Sequence, residues 1–251
     1  MVLPVINRAT LAISYDIWRT LLKGNKAFTS ARIEHLANRL GLRASVDELV
    51  AAYRGAERHF NRYAIDTGRD GGMAERLGLM YQLLGLDPAT LPESSVLDAI
   101  QRELGELHCH PEYMPSLLEP DLLHWLDQIA QLGLTQVLLS NTGMDSGPVM
   151  RPVLTKLGIM SRMEFAMFSA EEGLAKPNPA LFMRMSRQLN VPPAQIVHVG
   201  DNPTADYAGA TSAGLQAILY AAQPSQVASV ARTSQLLAVL RRTRLIVTSG
   251  C

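Results

Sequence analysis

Short apolar runs rich in β-branched and aromatic residues punctuate the chain at positions 11–15, 136–140, 164–168, 195–199 and 216–220. Each gives way to polar or glycine-bearing residues, as a buried strand does where it enters a loop. Between the later runs, apolar residues recur three and four positions apart over 149–157, 179–189 and 206–213, which predicts helices. Strand and helix alternate from about residue 120 onward. That alternation predicts an α/β core: a doubly wound, Rossmann-like parallel sheet with helices on both faces. A last apolar run at 245–248 reads either as a sixth, edge strand or as a tail.

The period changes between the first strand and the second. Ile33, Leu36, Ala37 and Leu40, then Leu77, Met80, Tyr81 and Leu84, follow helical spacing with few strand signals. Breaks at Gly41, Thr67-Gly68, Gly71-Gly72, Asp87-Pro88 and Leu91-Pro92 divide the segment into four or five helices. The pattern predicts a core of residues 1–21 and 119–251 with a helical cap inserted at 22–118, joined by two long connections near Leu22 and Leu118.

Composition adds mainly exclusions. The chain has 251 residues, with 23 Lys and Arg balancing 23 Asp and Glu, so no gross polyelectrolyte partner such as nucleic acid is implied. Hydrophobic residues at 47% and charged residues at 18% allow a sizeable core and exclude disorder of the whole. The two cysteines, Cys109 and Cys251, stand in no metal-ligand spacing. Arg8 interrupts the first apolar stretch, which lacks the order of a secretory signal, and no apolar run reaches the roughly 20 residues of a membrane span. A soluble, cytoplasmic protein without a membrane partner is expected.

In open parallel sheets ligands bind beyond the carboxyl ends of the strands. Those ends carry Asp16, Ser140 and the pair Asp201 and Asp206, while Lys176 precedes the helix at 179–189. Carboxylates, a hydroxyl and an ammonium at one sheet edge suit phosphoryl transfer. Asp16 can attack phosphorus and split a hard hydrolysis into two easier steps. Its charge would repel a phosphate dianion without an intervening cation, and Mg²⁺ takes such oxygen ligands, Asp16 and Asp201 being the natural ones. Lys176 would add a point charge, and Ser140 with nearby backbone N–H groups would hold phosphate oxygens.

These residues resemble, in order and spacing, the four motifs of the haloacid dehalogenase-like hydrolase superfamily, in particular its members with a helical cap inserted after the first motif. Asp16-Ile17-Trp18-Arg19-Thr20 is similar to the nucleophile loop, Ser140 to the second motif, Lys176 with its lead-in 169–179 to the third, and Gly200-Asp201 through Asp206 to the fourth. The resemblance implies a nucleophile at Asp16 and phosphate binding by Ser140 and Lys176. It implies metal ligation by Asp16, the Trp18 backbone carbonyl and Asp201, with Asp206 in the outer metal shell or orienting Lys176. Asn141, Trp18 and Arg19 are the further candidates for substrate contact. The sequence departs from the family where a second aspartate, the usual acid/base, is replaced by Trp18, and the glycine after it by Arg19. An indole N–H does not exchange its proton near neutral pH. Three readings follow: a Mg²⁺-dependent hydrolase of a small phosphate monoester, whose acid/base task passes to water, to a cap residue or to an acidic leaving group; a 2-haloacid dehalogenase; or a non-catalytic anion- and metal-binding module. The Asp201 carboxylate favours the first.

Other candidates have ordinary readings beside sharper ones. Arg54, Arg58 and Arg62 recur every four residues with His59 and Tyr63 among them, either an anion-reading face or a solvated helix face, the latter preferred. His108 and His110 flank Cys109, either a metal pair or a loop near a hinge. His124 and Trp125 read as packing residues, and His198 as a satisfied core histidine.

Overall fold

The computed structural model describes residues 6–7, 9–221, 223 and 225–245. The chain opens with strand β1 (Ala12–Tyr15), a short β2 (Leu22–Lys23), and helices α1 (Lys26–Leu40), α2 (Val46–Thr67), α3 (Met73–Leu83) and α4 (Ser94–His108). It returns through β3 (Ser116–Leu117) and α5 (Leu122–Ala130) to β4 (Thr135–Ser140), α6 (Gly147–Lys156), β5 (Ala166–Phe168), α7 (Ser169–Glu172), α8 (Pro179–Leu189) and β6 (Ile196–Gly200). After a π-helical turn at Pro203–Ala208 come α9 (Gly209–Ser212), β7 (Gln216–Tyr220), β8 (Ser229–Val230) and α10 (Thr233–Leu245).

Strands β5, β4, β1, β6, β7 and β8 lie in that order in one sheet, and every pairing in it is parallel. The chain leaves β1 for its neighbours on either side, so the topological switch point lies at the end of β1. Tyr15 pairs with Leu138 on one side and Val199 on the other. Asp16 therefore emerges between the ends of β4 and β6. Alternate residues face opposite sides: Ile13, Tyr15, Leu138 and Val199 join one apolar cluster with α5, α6 and α10, while Ala12, Val137, Leu139 and Ile196 join another with α8 and α9. Burial of both faces explains why these strands read as continuous apolar runs.

Helices α1 to α4 form a third cluster around Leu36, Ala56, Leu77, Met80, Ile100 and Leu104 that also takes in Met144 and Val149 beside and within α6. Their ends are specified locally. Asn25 caps α1 and Gly41 ends it in the left-handed region, while Ser45 and Glu48 close a capping box on α2. No helix among the described residues is long and apolar enough to cross a membrane.

Two expectations need correction, one is met, and one falls largely outside the described residues. In place of long connections near Leu22 and Leu118, β2 and β3 pair antiparallel, Leu22 with Leu117 and Lys23 with Ser116, so a tight ribbon closes the helical insert. The helix expected over 206–213 begins earlier, as a π-helical turn at Pro203–Ala208 that Asn202 caps and in which the Tyr207 N–H donates to the Asn202 carbonyl five residues back, and it continues as α9. The breaks in the insert separate four α-helices and a 3₁₀ turn at Pro88–Thr90, within the four or five helices expected. The run 245–248 begins on the last residue of α10, and the rest of it lies outside the described residues. Strands β2, β3 and β8 are too short for a periodic signal.

Candidate active site

The ends of three adjacent strands and the loop before α8 bring four side chains together. Lys176 is 1% exposed. Its ammonium donates to Asp16 Oδ1 at 2.8 Å and to the Leu139 carbonyl at 2.8 Å, and pairs with Asp206 Oδ1 at 2.6 Å. Three N–H donors thus meet three acceptors, which lets a charge sit in the interior. Burial alone would lower the lysine's pKa, but the two carboxylates outweigh it and raise it, so the ammonium stays charged. Ser140 donates to the same Asp16 oxygen at 3.0 Å, which fixes the carboxylate's rotamer. Oδ2 of Asp16 accepts no hydrogen bond among the described residues.

Asp206 is held from behind. It accepts from the Asn202 N–H at 2.8 Å and from His198 Nε2 at 3.1 Å. His198 Nδ1 meets the Ser14 hydroxyl at 2.5 Å. Burial lowers the His198 pKa, which keeps the ring neutral with its proton on the nitrogen facing Asp206. Burial would raise Asp206, yet Lys176 and the His198 bond hold it well below the usual carboxylate range. A Cβ on Gly200 would fall on the Asp206 carboxyl group, so glycine there is a condition for the turn to fold back on the strand end.

Asp201 stands on the open side. Its pKa is pushed up to about 6, first by burial and then by the charge of Asp16, with Arg19 opposing. Burial likewise raises Asp16, with Lys176 pulling against it. Asp16, Asp201 and Asp206 each bring a carboxylate oxygen within 4.8 Å of the others. Crowded, partly desolvated carboxylates of this kind are hard oxygen donors that suit Mg²⁺. Asp206 has both oxygens engaged, which fits an outer position, while Asp16 Oδ2, the Asp201 carboxylate and the Trp18 carbonyl, which accepts no hydrogen bond among the described residues, are left to touch a cation. Arg19 Nε reaches Asp201 at 3.0 Å with a side chain 75% exposed, a pairing that yields at small cost. The backbone of Arg19 has φ of 60°, a left-handed conformation costing a side-chain-bearing residue about 1 kcal/mol. That is the physical reason a glycine suits this position.

These residues open onto a cavity of about 430 Å³ whose wall includes Trp18, Arg19, Asn141, Thr142 and, from the insert, Glu57, Asn61, Asp70 and Arg76. A family model described as haloacid dehalogenase-like hydrolase matches residues 10–214, a span that contains every group described above. The chain belongs to this family. Haloacid dehalogenase-like hydrolase domain-containing protein 3 of Danio rerio is 26% identical over 210 residues, spanning 82% of this chain and 83% of its own. Glyceraldehyde 3-phosphate phosphatase of Methanopyrus kandleri is 25% identical over 209 residues, 81% of either chain. Among solved structures, the 2-haloacid dehalogenase of Pseudomonas syringae aligns with a TM-score of 0.63 at 23% identity, covering 93% of this chain and 99% of that one, which is a likeness of fold.

In this hydrolase Asn141 lies in the cavity wall, but its amide is occupied. It donates to the Lys176 carbonyl and accepts from the Lys176 N–H, each at 2.8 Å, clamping the lysine's backbone to the end of β4. Trp18 is half-buried and stacks at 6.3 Å on His108, which stacks on Phe28 at 3.5 Å. His108 thus sits inside the insert's root, its pKa lowered to about 4 chiefly by burial. It shares no metal group with His110 among the described residues. Arg54, Arg58 and Arg62 are exposed and none lines the cavity. The insert's cation there is Arg76, which is 1% exposed and bonds to Gly71 O, Glu57 Oε1 and Asp70 Oδ1 at 2.8, 2.8 and 2.9 Å. Asp70 in turn accepts from Ser169 Oγ, which accepts from the Thr142 N–H, and the Gly68 carbonyl accepts from Ala175 N and Asn178 Nδ2. The insert is therefore bonded to the loops that carry the second and third motifs. No sequence signal separated Arg76 from the other arginines of the insert. The tight Gly71-Gly72 turn before α3 was visible as a break, and it is what lets the Gly71 carbonyl meet the guanidinium.

Proposed function

We propose that the protein is a Mg²⁺-dependent hydrolase of small phosphate monoesters that works through an aspartyl-phosphate on Asp16. The observation that carries this reading is the Asp201 carboxylate set beside Asp16 across the switch point. Displacement of halide by an aspartate needs no such group, whereas a phosphate dianion approaching a carboxylate needs a cation to relieve the repulsion. Relatives named as phosphatases, such as the Methanopyrus kandleri protein, support the same choice.

Asp16, Asp201 and the Trp18 carbonyl would hold the ion, which when bound neutralises charge on the phosphoryl oxygens and on the attacking carboxylate. Lys176 and Ser140 fix Asp16 by one oxygen, so attack on phosphorus comes from a carboxylate already oriented. The loop after β4 lines the same cavity, and its N–H groups other than that of Thr142, which donates to Ser169, suit the equatorial oxygens. The P–O bond to the alcohol breaks, and the alkoxide takes a proton from water, since Trp18 has none to give. Water then attacks the acyl-phosphate and returns Asp16 with release of inorganic phosphate. The helices 26–108 act as a cap that surrounds the leaving group. The test is release of phosphate from p-nitrophenyl phosphate and small phosphate esters, dependent on Mg²⁺ and lost in Asp16→Asn. Trp18 itself favours the second reading, hydrolysis of a 2-haloacid, because a halide departs without a proton. Chelator-resistant halide release would establish that reading in place of the first. Metal or anion binding with no turnover would leave the non-catalytic module.

A further inference from the structure

The cavity's charge is unevenly matched. Its wall carries Asp16, Glu57, Asp70, Asp145, Asp201 and Asp206 against Arg19, Lys176 and Arg76. Each of these cations is already engaged: Lys176 with Asp16 and Asp206, Arg19 with Asp201, and Arg76 with both Glu57 and Asp70. Asp145 is balanced by Arg32, which lies behind the wall against Phe28 and Tyr53. One guanidinium serving two carboxylates leaves the insert's side of the cavity negative. A divalent cation at Asp16 and Asp201 would be balanced in turn by the phosphoryl group itself.

The two groups on that side with hydrogen-bonding capacity to offer are Glu57 and Asn61. They stand four residues apart on α2 and so share a face, and both reach the cavity. Glu57 gives one oxygen to Arg76 and keeps the other without a partner among the described residues, with its side chain 25% exposed. The Asn61 side chain makes no hydrogen bond among the described residues and is exposed to the cavity. Ala64 and Ile65 continue this wall as an apolar floor. The guanidinium of Arg76 is not free to swing toward a second anion. Gly71 O, Glu57 and Asp70 hold its three nitrogens, the Phe60 ring lies 5.2 Å away, and a Cβ on Gly143 would come within 2.7 Å of it from the core side.

We infer that the cavity selects phosphate esters of a hydroxyl-bearing alcohol with no second anionic group, with Glu57 and Asn61 of the insert binding the alcohol and repelling carboxylate- or phosphate-bearing counterparts. This rests on the phosphatase reading above. A carboxylate next to Glu57 meets like charge with no free cation to receive it, and rejection built on repulsion is as effective as attraction. A hydroxyl at the same place donates to the unpartnered Glu57 oxygen and accepts from the Asn61 amide.

The closest chemical pair for testing this is glycerol 3-phosphate and 3-phosphoglycerate, which differ in a hydroxymethyl against a carboxylate. With Mg²⁺ present, kcat/KM for the glycerol ester should exceed that for the glycerate ester by about tenfold or more. Glu57→Gln, which keeps a hydrogen bond acceptor for Arg76, should narrow that ratio by improving the glycerate ester. Equal or better turnover of the glycerate ester by the unaltered protein overturns the inference, as does a ratio that Glu57→Gln leaves in place. If neither ester is hydrolysed, Mg²⁺-dependent phosphate release from p-nitrophenyl phosphate decides the phosphatase reading separately. The selectivity is then read from calorimetric binding of the same pair, where tighter binding of the glycerate ester overturns it and tighter binding of the glycerol ester supports it.

Discussion

The cavity's two walls handle buried charge in opposite ways. On the sheet side, Lys176 joins carboxylates that reach it from β1 and from the turn after β6, so the charges are shared between segments distant in sequence. On the insert side, Arg76 is matched by Glu57 and Asp70, close to it in the chain. The sheet side consequently exists only when the whole parallel fold has formed, and it leaves one oxygen of its central carboxylate to react. The insert side is closer to self-sufficient and turns hydrogen-bonding groups, Glu57 and Asn61, and an apolar floor, Ala64 and Ile65, to the cavity. On the proposed function, the difference places chemistry at the sheet edge and selectivity on the helices.

The comparison breaks most sharply at Asp16. Asp16→Asn should reduce phosphate release by roughly 10⁴-fold or more, whereas Glu57→Gln should alter substrate preference within a far smaller range; steady-state kinetics of both variants checks this. Next comes Lys176→Met, which strands Asp16 and Asp206 together in the interior. Loss of one partner of a buried ion group costs about 3–5 kcal/mol, measurable as a lower urea midpoint without Mg²⁺. Arg76→Met should cost less, at the low end of that range, because Asp70 keeps its bond from Ser169 and Glu57 is partly solvated. Equal losses in these two variants would erase the distinction between the walls.

Protons sharpen it further. The Asp201 carboxyl, with a pKa of about 6, takes up a proton below that value and loses the charge that would hold a cation. Mg²⁺ affinity measured by calorimetry should therefore be flat above pH 6 and fall about tenfold per unit below it. The sign for stability without metal is opposite. A raised carboxyl pKa means that the folded state keeps a proton the unfolded chain has lost, so Asp201 lowers stability as pH rises from the ordinary carboxyl value near ~4 through about 6. The smallest expected effect lies far from either wall. Ser45→Ala removes the cap of α2 and should cost about 1 kcal/mol with kcat/KM unaltered.

The same contrast explains what was legible in the sequence. Strands at 11–15, 136–140 and 195–199 could be read because burial on both faces makes them uniformly apolar, and their polar ends named Asp16, Ser140 and Asp201 as candidates. Lys176 was legible only through its motif; an isolated lysine before a proline says nothing of burial. The insert was legible as helices but not as a wall. Four-residue spacing singled out Arg54, Arg58 and Arg62, which face solvent, while Arg32 and Arg76 are buried. Which side of a helix meets another domain depends on packing across α4 and α6, and no periodicity within one helix reports it. The wide turn at Pro203–Ala208 was missed for a related reason: its shape follows from the backbone bond from Tyr207 to Asn202 and the space over Gly200, not from an apolar pattern.

In the proposed mechanism Asp16 bonds covalently to phosphorus during turnover. Rapid mixing of the protein with Mg²⁺ and p-nitrophenyl phosphate, acid quenching and peptide mass spectrometry test it directly. The expected result is a phosphorylated peptide whose labile modification maps to Asp16 and is absent from Asp16→Asn. Phosphate release that proceeds with Asp16 unmodified, or that persists undiminished in Asp16→Asn, would contradict it.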